Sequence, residues 1–274
     1  MKKIAFIVFL LVIFLIAFFA FVDYRKAFDE KKIVERNESF NLYRLIFEGN
    51  DGKDIYALFF KPFKKEFDVI IVLPAAAGTK ESRRFYGEIL NDMGYGALVL
   101  DQRGIGETDG YFPSFQEDFN SFLSKKEVYQ ILMAKDVISS INFLENFRGV
   151  GDFAVIGESM GGRNAIIAAG LDERIKTSII ISSAGYSGSF GSKETDEFLA
   201  FINPNSYILR ISPRRLLMLH AINDSVIPIS DARTTFSLAK EPKSFFEFGE
   251  SECSHGYCKP MYGFIEKELR EVFG

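Results

Sequence analysis

The sequence predicts an α/β fold in which a mostly parallel, eight-stranded sheet carries helices on both faces. An antiparallel start gives way to apolar runs that alternate with helical segments up to the C-terminus, and such alternation favours a parallel sheet. The chain has 274 residues, of which 47% are apolar and 26% charged, as is usual for globular proteins. About 250 residues remain beyond the N-terminal segment, which is the size of one large α/β domain.

The antiparallel start is a predicted hairpin. Two runs of alternating apolar residues in FNLYRLIFEGNDGKDIYALFFKP, residues 40–62, flank the sequence Asn50-Asp51-Gly52. Asn and Asp before Gly favour the tight turns that connect antiparallel strands.

Six further strands are predicted from short apolar runs, since continuous runs of this kind are expected where a strand is buried on both faces. They cover residues 68–78, 96–104, 152–159, 177–185, 214–221 and 244–249. Helices are expected between them, including a long one around residues 125–147 that follows a polar loop. In such a sheet, ligands bind beyond the carboxyl ends of the strands, so the polar residues there are the functional candidates.

The N-terminal residues 1–22 are predicted to be a transmembrane anchor or an uncleaved signal; a cleaved secretory signal is the alternative. The nineteen residues from Ile4 to Val22 carry no charge, and as a helix they would span about 28 Å, enough for a bilayer core. Residues 23–37 are charged and are expected to link this segment to a domain at 38–274. The two N-terminal lysines favour a cytoplasmic N-terminus, which predicts a single-pass membrane protein with an extracytoplasmic domain. The larger basic cluster after the apolar run favours the opposite orientation; it consists of Arg25, Lys26, Lys31 and Lys32.

Composition argues against several other classes of function. The formal net charge is −4 and the basic residues are scattered, so nucleic acid is not an expected partner. Two His and two Cys in the whole chain leave few ligands for a zinc site, and we expect neither a metal nor a cofactor.

The segment VIGESMGG, residues 155–162, places Ser159 between glycines directly after an apolar run. A serine at a strand-to-helix junction exposes its hydroxyl only if the turn is very tight, with strained backbone at the serine itself. The residues two before and two after then crowd each other, and Gly157 and Gly161 lack the Cβ atoms that would clash. The position of this pattern predicts that Ser159 is a nucleophile; an ordinary serine in a glycine-rich turn is the alternative.

A serine nucleophile needs a base, and the base needs an orienting acid. Asp224 follows the predicted strand 214–221 in the segment HAINDSVIP, and His255 lies in the loop after the strand 244–249. Both loops leave the carboxyl ends of strands, where they can face the serine. His220 ends an apolar strand and is expected to be a buried packing or hydrogen-bonding residue.

These segments together resemble the α/β-hydrolase superfamily, in its group of esterases, dienelactone-hydrolase-like enzymes and serine peptidases, over about residues 40–272. The matching motifs are GESMGG, HAINDSVIP, SHG and LDQRGIGETDG. The last resembles the segment D-x-R-G-x-G-x-S of these enzymes, with Thr108 where Ser is usual. The resemblance implies that Asp101 and Arg103, in this segment, brace the site.

The resemblance also implies a mechanism of acyl transfer. Ser159 would attack a carbonyl, His255 would take its proton, and Asp224 would hold the imidazole. An oxyanion hole needs two backbone N–H groups, one of them from Met160, directly after the nucleophile. By resemblance the other comes from the loop LPAAAG, in which we choose Ala76.

Cys253 and Cys258 flank the candidate base in the segment CSHGYC. They are either two separate thiols or a disulfide that closes a six-residue loop. A disulfide would pin the histidine loop, and it would fit a domain outside the cytosol.

The segment 186–212 stands where this superfamily inserts its cap, and it is short. Its apolar residues can line an acyl pocket or form the underside of a lid helix. We expect a serine esterase whose partner is a small-molecule carboxylic ester of small or medium acyl length. The alternatives are a peptidase, amidase or thioesterase on the same triad, or a catalytically silent, membrane-tethered binding protein.

Overall fold

The computed structural model describes residues 33–37, 41–188 and 191–274. The anchor predicted for residues 1–22 lies outside the described residues, as does most of the segment 23–37. No helix in the described part of the chain combines the length and the apolar character that crossing a bilayer requires.

A nine-stranded sheet with the spatial order β1-β2-β3-β5-β4-β6-β7-β8-β9 forms the centre of the domain. The strands β1 to β3 and β5 pair antiparallel, whereas β5, β4 and β6 to β9 run parallel. The strands are β1 Ile33–Asn37, β2 Leu42–Glu48, β3 Asp54–Phe60, β4 Phe67–Leu73, β5 Gly96–Leu100, β6 Val150–Glu158, β7 Ile175–Ile181, β8 Arg215–Ala221 and β9 Lys243–Phe248. The mostly parallel sheet that the sequence predicts is confirmed.

Eight of these strands are those predicted, and β1 is an additional strand. It lies in the segment 23–37, which the sequence analysis assigned to a linker, and it pairs antiparallel with β2 at the edge of the sheet. The sequence IVERN contains charged residues, which edge strands tolerate because one side of the strand faces solvent. Such a strand lacks the continuous apolar run of a buried one.

Seven helices cover the two faces in the described residues. They are α1 Arg84–Asp92, α2 Phe115–Leu123, α3 Tyr129–Leu144, α4 Met160–Leu171, α5 Lys193–Ile202, α6 Ile229–Leu238 and α7 Tyr262–Phe273. Buried residues of α3, α4 and α6 belong to one apolar core, and those of α1 and α7 to a second core on the opposite face. The sheet between the two cores is therefore buried on both sides, which explains the continuous apolar runs of its parallel strands.

The helix α2 corrects the expected polar loop before residue 125. Its first turn has a capping box: the Ser114 hydroxyl accepts a hydrogen bond from the Glu117 N–H, and the Glu117 carboxylate accepts one from the Ser114 N–H. This reciprocal pairing satisfies two backbone donors that a helix start otherwise leaves without partners. The sequence signal was the spacing S-x-x-E before an apolar pattern.

The short cap, residues 186–212, contains α5 and two short 3₁₀ helices. Phe198 of α5 is fully buried. Its ring lies 5.1, 5.4 and 5.5 Å from the rings of three phenylalanines of α2. The central apolar residue of the cap therefore packs against α2, which favours the lid-underside interpretation over an acyl pocket at this position.

Candidate active site

Ser159 lies between the end of β6 and the start of α4, with φ 51° and ψ −112°. A positive φ is strained for any residue with a Cβ atom. Two backbone contacts hold it: the Ser159 N–H donates to the Ile181 carbonyl at 2.9 Å, and the Ser159 carbonyl accepts from the Ser183 hydroxyl at 2.7 Å. The structure thus places the predicted nucleophile on a strained strand-to-helix turn.

The glycines around Ser159 allow this turn to close. A Cβ atom on Gly157 would lie 2.6 Å from the carbonyl carbon of Gly161 and 2.7 Å from the Cα of Gly162. A Cβ atom on Gly161 would lie 2.6 Å from the carbonyl oxygen of Pro74. All three distances are too short for real contacts. The turn around Ser159, which we call the elbow, therefore closes and rests on the loop after β4 only with glycine at these positions.

Asp224 and His255 are brought into direct contact. Nδ1 of His255 lies 2.9 Å from Oδ2 and 3.0 Å from Oδ1 of Asp224. Oδ1 also accepts the N–H groups of Val226 and Ile227, each at 2.9 Å. Burial alone would raise the pKa of Asp224, but the hydrogen bonds from Ile227, His255 and Val226 outweigh it and hold that pKa below its ordinary value.

A carboxylate at Nδ1 fixes the imidazole as the tautomer with its proton on Nδ1. Nε2 of His255 is then the ring nitrogen that is able to accept a proton. In the described residues, neither Nε2 of His255 nor the Ser159 hydroxyl makes a hydrogen bond. The structure therefore pairs Asp224 directly with His255, and it places Ser159 at the same edge of the sheet without a direct bond to His255.

His220 is buried, as expected from the sequence, and lies beside the acid. Its Nε2 is 2.9 Å from the Ile227 carbonyl and 3.5 Å from Oδ2 of Asp224. Nδ1 is buried and has no hydrogen-bond partner in the described part of the chain. Burial lowers the pKa of His220, which favours the neutral form of this side chain beside Asp224.

The two residues chosen for the oxyanion hole are placed on the elbow and on the loop that touches it. Met160 is the first residue of α4, so its N–H has no partner within the helix. Ala76 is exposed in the loop after β4, and Gly161 packs against Pro74 of that loop. Two backbone donors at adjoining positions are what a tetrahedral oxyanion requires.

Gln102 links the loop after β4 to α4, a role that was not predicted from the sequence. Its Nε2 donates to the Pro74 carbonyl at 2.5 Å, and its Oε1 accepts from Asn164 Nδ2 of α4 at 2.6 Å. Both side chains are buried. The sequence signal is its place within LDQRG, but the partners are 28 and 62 residues away.

Asp101 and Arg103 brace the framework beneath the site. Oδ2 of the fully buried Asp101 pairs with Lys80 Nζ at 2.6 Å. Arg103 makes paired hydrogen bonds of 2.6 to 2.8 Å with Asp136 and Asp51. Burial alone would lower the pKa of Arg103, but these two carboxylates outweigh it and raise that pKa. The charged groups of both residues are therefore held by other side chains of the domain.

Cys253 and Cys258 form a disulfide in the structure, with Cα atoms 5.3 Å apart. Both are buried in the apolar core that includes Met261 and α7. The bond closes the loop that carries His255. No group of three or more His, Cys, Asp or Glu side chains that could hold a metal ion occurs among the described residues.

Comparison with known proteins agrees with this architecture. The acetyl xylan esterase from Paenibacillus sp. R4 superposes with a TM-score of 0.74 at 18% identity, over 92% of each chain. Acetyl xylan esterase 1 from Thermoanaerobacterium sp. JW/SL YS485 superposes with a TM-score of 0.71 at 16% identity, also over 92% of each chain. At such identities the likeness shows the fold, which is the expected α/β-hydrolase fold.

Among curated sequences, the uncharacterized protein YfhR of Escherichia coli O157:H7 is 26% identical over 171 residues, which cover 60% of this chain and 55% of YfhR. The match thus spans about half the length of that relative. Residues 22–183, more than half of the chain, match the model of the acetyl xylan esterase family, AXE1. The chain therefore belongs to the acetyl xylan esterase family, a family of ester hydrolases.

Proposed function

We propose that the protein is a serine esterase that cleaves carboxylic esters of small or medium acyl groups through Ser159, His255 and Asp224. The observation that carries this proposal is the Asp224–His255 pair, with Nδ1 2.9 Å from the carboxylate, at the sheet edge where Ser159 sits on its strained turn. These are the parts that convert a weakly nucleophilic hydroxyl into an attacking group.

In the proposed reaction, Oγ of Ser159 attacks the ester carbonyl carbon while Nε2 of His255 takes the hydroxyl proton. The tetrahedral oxyanion is stabilised by the N–H groups of Met160 and Ala76. The imidazolium returns its proton to the leaving alcohol as the C–O bond breaks, which leaves an acyl-serine. Water, deprotonated by the same imidazole, then attacks the acyl carbon. The imidazolium returns that proton to Oγ of Ser159 as the acyl–serine bond breaks and the carboxylic acid leaves.

Asp224 stays ionised throughout this cycle. Its two backbone hydrogen bonds and its lowered pKa keep the negative charge beside Nδ1, where it stabilises the imidazolium that forms during each half-reaction.

The substrate class rests on the family. The acetyl xylan esterase family and its structural neighbours are named for removal of an acetyl group from a sugar polymer. For this chain we extend that only to small or medium acyl esters. A short cap whose central phenylalanine is packed against α2 supports an accessible site.

We further propose that residues 1–22 anchor the enzyme in a membrane with the catalytic domain outside the cytoplasm. The uncharged run from Ile4 to Val22 supports an anchor. The disulfide supports an oxidising compartment, because such bonds are rarely stable in the cytosol. Protease treatment of intact cells tests the orientation: digestion of the domain is expected, and protection would contradict it.

The catalytic proposal is tested on the full-length chain in mild detergent with a fluorophosphonate probe and with p-nitrophenyl esters from acetate upward. The adduct is expected on Ser159, with turnover that falls as the acyl chain lengthens. Ser159→Ala should lose both labelling and turnover without a change in melting temperature. Ser237→Ala, in the last turn of α6, is the matched control and should retain both. Undiminished hydrolysis by Ser159→Ala would refute the proposal.

A further inference from the structure

Glu158, the residue directly before the nucleophile, is a buried carboxylate with its own set of partners. Its side chain is only 1% exposed. Oε2 accepts from Arg83 Nε at 2.6 Å, and Oε1 accepts from the Tyr86 hydroxyl at 2.9 Å and from the Tyr257 N–H at 3.3 Å. A buried charge is costly unless it is paired and hydrogen-bonded, so this set of donors explains how the carboxylate is tolerated.

Glu158 and its partners belong to three separate parts of the fold. Glu158 ends β6, whereas Arg83 and Tyr86 belong to the start of α1 and the turn before it. Burial and the neighbouring carboxylate of Glu158 raise the pKa of Tyr86 well above its ordinary value, so its hydroxyl stays a donor. Arg83 and Tyr86 thus hold the Glu158 carboxylate in place independently of its contact with Tyr257.

Tyr257 lies in the histidine loop, which we define as residues 253–258, between the two bonded cysteines. It follows His255 by two residues. Its ring packs against Phe85 and Tyr86, with centroids 5.3 and 5.4 Å apart. The histidine loop therefore contacts α1 through the Tyr257 ring, and it contacts β6 through the hydrogen bond from the Tyr257 N–H to Glu158.

We propose that Glu158 is a positioning residue that sets the distance between the histidine loop and Ser159. This inference rests on the proposed function. Asp224 orients the imidazole ring but belongs to the loop after β8, so it does not tie the histidine to the nucleophile. Glu158 is covalently joined to Ser159, and its bond to the Tyr257 N–H links the loop of the base to the backbone of the nucleophile.

A bond of this kind matters because proton transfer depends steeply on distance. Displacement of a catalytic group by about 1 Å can cost about 100-fold in rate. The alternative is that Glu158 is only a buried ion pair that stabilises the fold through Arg83. The two interpretations differ in what each requires at position 158: the first requires an acceptor that reaches the Tyr257 N–H, and the second requires a negative charge.

Variants at position 158 separate these requirements. Glu158→Gln keeps an oxygen acceptor of the same reach but loses the charge. Glu158→Asp keeps the charge but is one methylene shorter. Glu158→Leu keeps the approximate size and loses both.

Glu268 offers a matched control, since it is another buried carboxylate, 5% exposed, that is held by an arginine. Arg215 donates to it twice at 2.8 Å, and the Thr177 hydroxyl donates at 2.8 Å. Thr177 and Arg215 lie at the amino-terminal ends of β7 and β8, so this cluster is at the edge of the sheet opposite the candidate site.

The experiment measures kcat and KM for p-nitrophenyl acetate, together with melting temperature, for the full-length variants. We expect Glu158→Leu to lower kcat about 30-fold with KM changed less than about twofold, and Glu158→Asp to lower kcat more than Glu158→Gln. Glu268→Leu should lower the melting temperature and leave kcat unchanged. If Glu158→Leu does not fold, the order of the Gln and Asp variants decides alone.

A kcat for Glu158→Asp that equals or exceeds that of Glu158→Gln would overturn the inference, because charge and not reach would then matter. Equal effects of the Leu variants at positions 158 and 268 would also overturn it. Wild type and Ser159→Ala are measured in the same assay. If the wild type is active and Ser159→Ala is inactive, either of these results overturns only the role of Glu158. If the wild type does not hydrolyse the ester, the proposed function is overturned as well.

Discussion

Oδ2 of Asp224 lies 2.9 Å from Nδ1 of His255, although the two residues are 31 positions apart in the chain. The contact arises because β8 and β9 are parallel neighbours, so the loops that leave their carboxyl ends meet. Oδ1 of Asp224 also accepts hydrogen bonds from two backbone N–H groups. These bonds hold the carboxylate in place independently of its contact with the imidazole. The orientation of the His255 ring therefore follows from the topology of the sheet.

Replacement of Asp224 by Asn tests this relationship. The amide can keep the backbone contacts, but it presents a neutral group to Nδ1 and favours the tautomer with its proton on Nε2. We expect kcat for p-nitrophenyl acetate to fall about 10³- to 10⁴-fold with little change in KM. A fall of less than tenfold in a folded variant would contradict the assigned role.

The contact between Gly161 and the loop after β4 yields a second prediction. Gly161→Ala introduces a Cβ atom 2.6 Å from the Pro74 carbonyl oxygen, so the elbow and the loop after β4 must move apart. We expect kcat to fall about 100-fold and the free energy of unfolding to fall by about 1–3 kcal/mol.

Gly263→Ala is the matched control for this substitution. Gly263 lies in α7, where an added Cβ atom would meet no described atom within 4 Å. Alanine is favoured over glycine in helices by up to about 1 kcal/mol, so this variant should be equally or more stable and fully active. If Gly161→Ala behaves like Gly263→Ala in kinetics and urea unfolding, the elbow does not depend on that contact.

The sequence alone singles out Ser159, Asp224 and His255 as candidates because each has a local signal. Ser159 has its glycines, and Asp224 and His255 follow strands in the order that the superfamily shares. Gln102 and Glu158 lie within the motifs LDQRG and GESMGG, but these motifs do not indicate what their side chains contact, since the partners are 62 and 75 residues away. Contacts at that separation exist only once the sheet has brought the loops together.

Two elements of the fold were missed for a different reason. The strand at 33–37 and the helix at 115–123 are short, and each depends on a neighbour. The strand gains its hydrogen bonds from β2, and the helix packs its aromatic rings around Phe198 of the cap. Tertiary partners stabilise such elements more than local propensity does.

The disulfide around His255 gives a third prediction. Cys253→Ser combined with Cys258→Ser opens the six-residue loop, and the loop-entropy estimate places the loss in unfolding free energy at about 2 kcal/mol. We expect kcat to fall as well, because the histidine loop then retains fewer constraints. Reductant should reproduce both effects in the wild type and do nothing to the double variant. A thiol count verifies that the reductant has opened the disulfide of the wild type. If its stability and kcat are then unchanged, the disulfide does not constrain the histidine loop.

His220 leads to a prediction about pH. An imidazolium needs an acceptor for each of its two N–H groups, but Nδ1 of His220 is buried without a partner among the described residues. Burial accordingly lowers the pKa of His220 below its ordinary value of 6.5. The native state therefore holds this side chain neutral at pH values where the unfolded chain already binds a proton.

The sign of the effect follows from proton linkage. Above pH 6.5 neither state carries the proton, and the full stability is present. As the pH falls below 6.5, the unfolded state takes up a proton that the native state resists. The free energy of unfolding therefore decreases over the pH range between 6.5 and the lowered native pKa of His220. His220→Gln removes this titration, and the Nε2 of glutamine can still donate to the Ile227 carbonyl. The free energy of unfolding is measured in urea at pH 8 and at pH 5. Its decrease from pH 8 to pH 5 should be smaller for the variant than for the wild type. Because each protein is compared with its own value at pH 8, the effect of the substitution itself cancels. Equal losses in the two proteins would show that His220 is already protonated in the native state at pH 5.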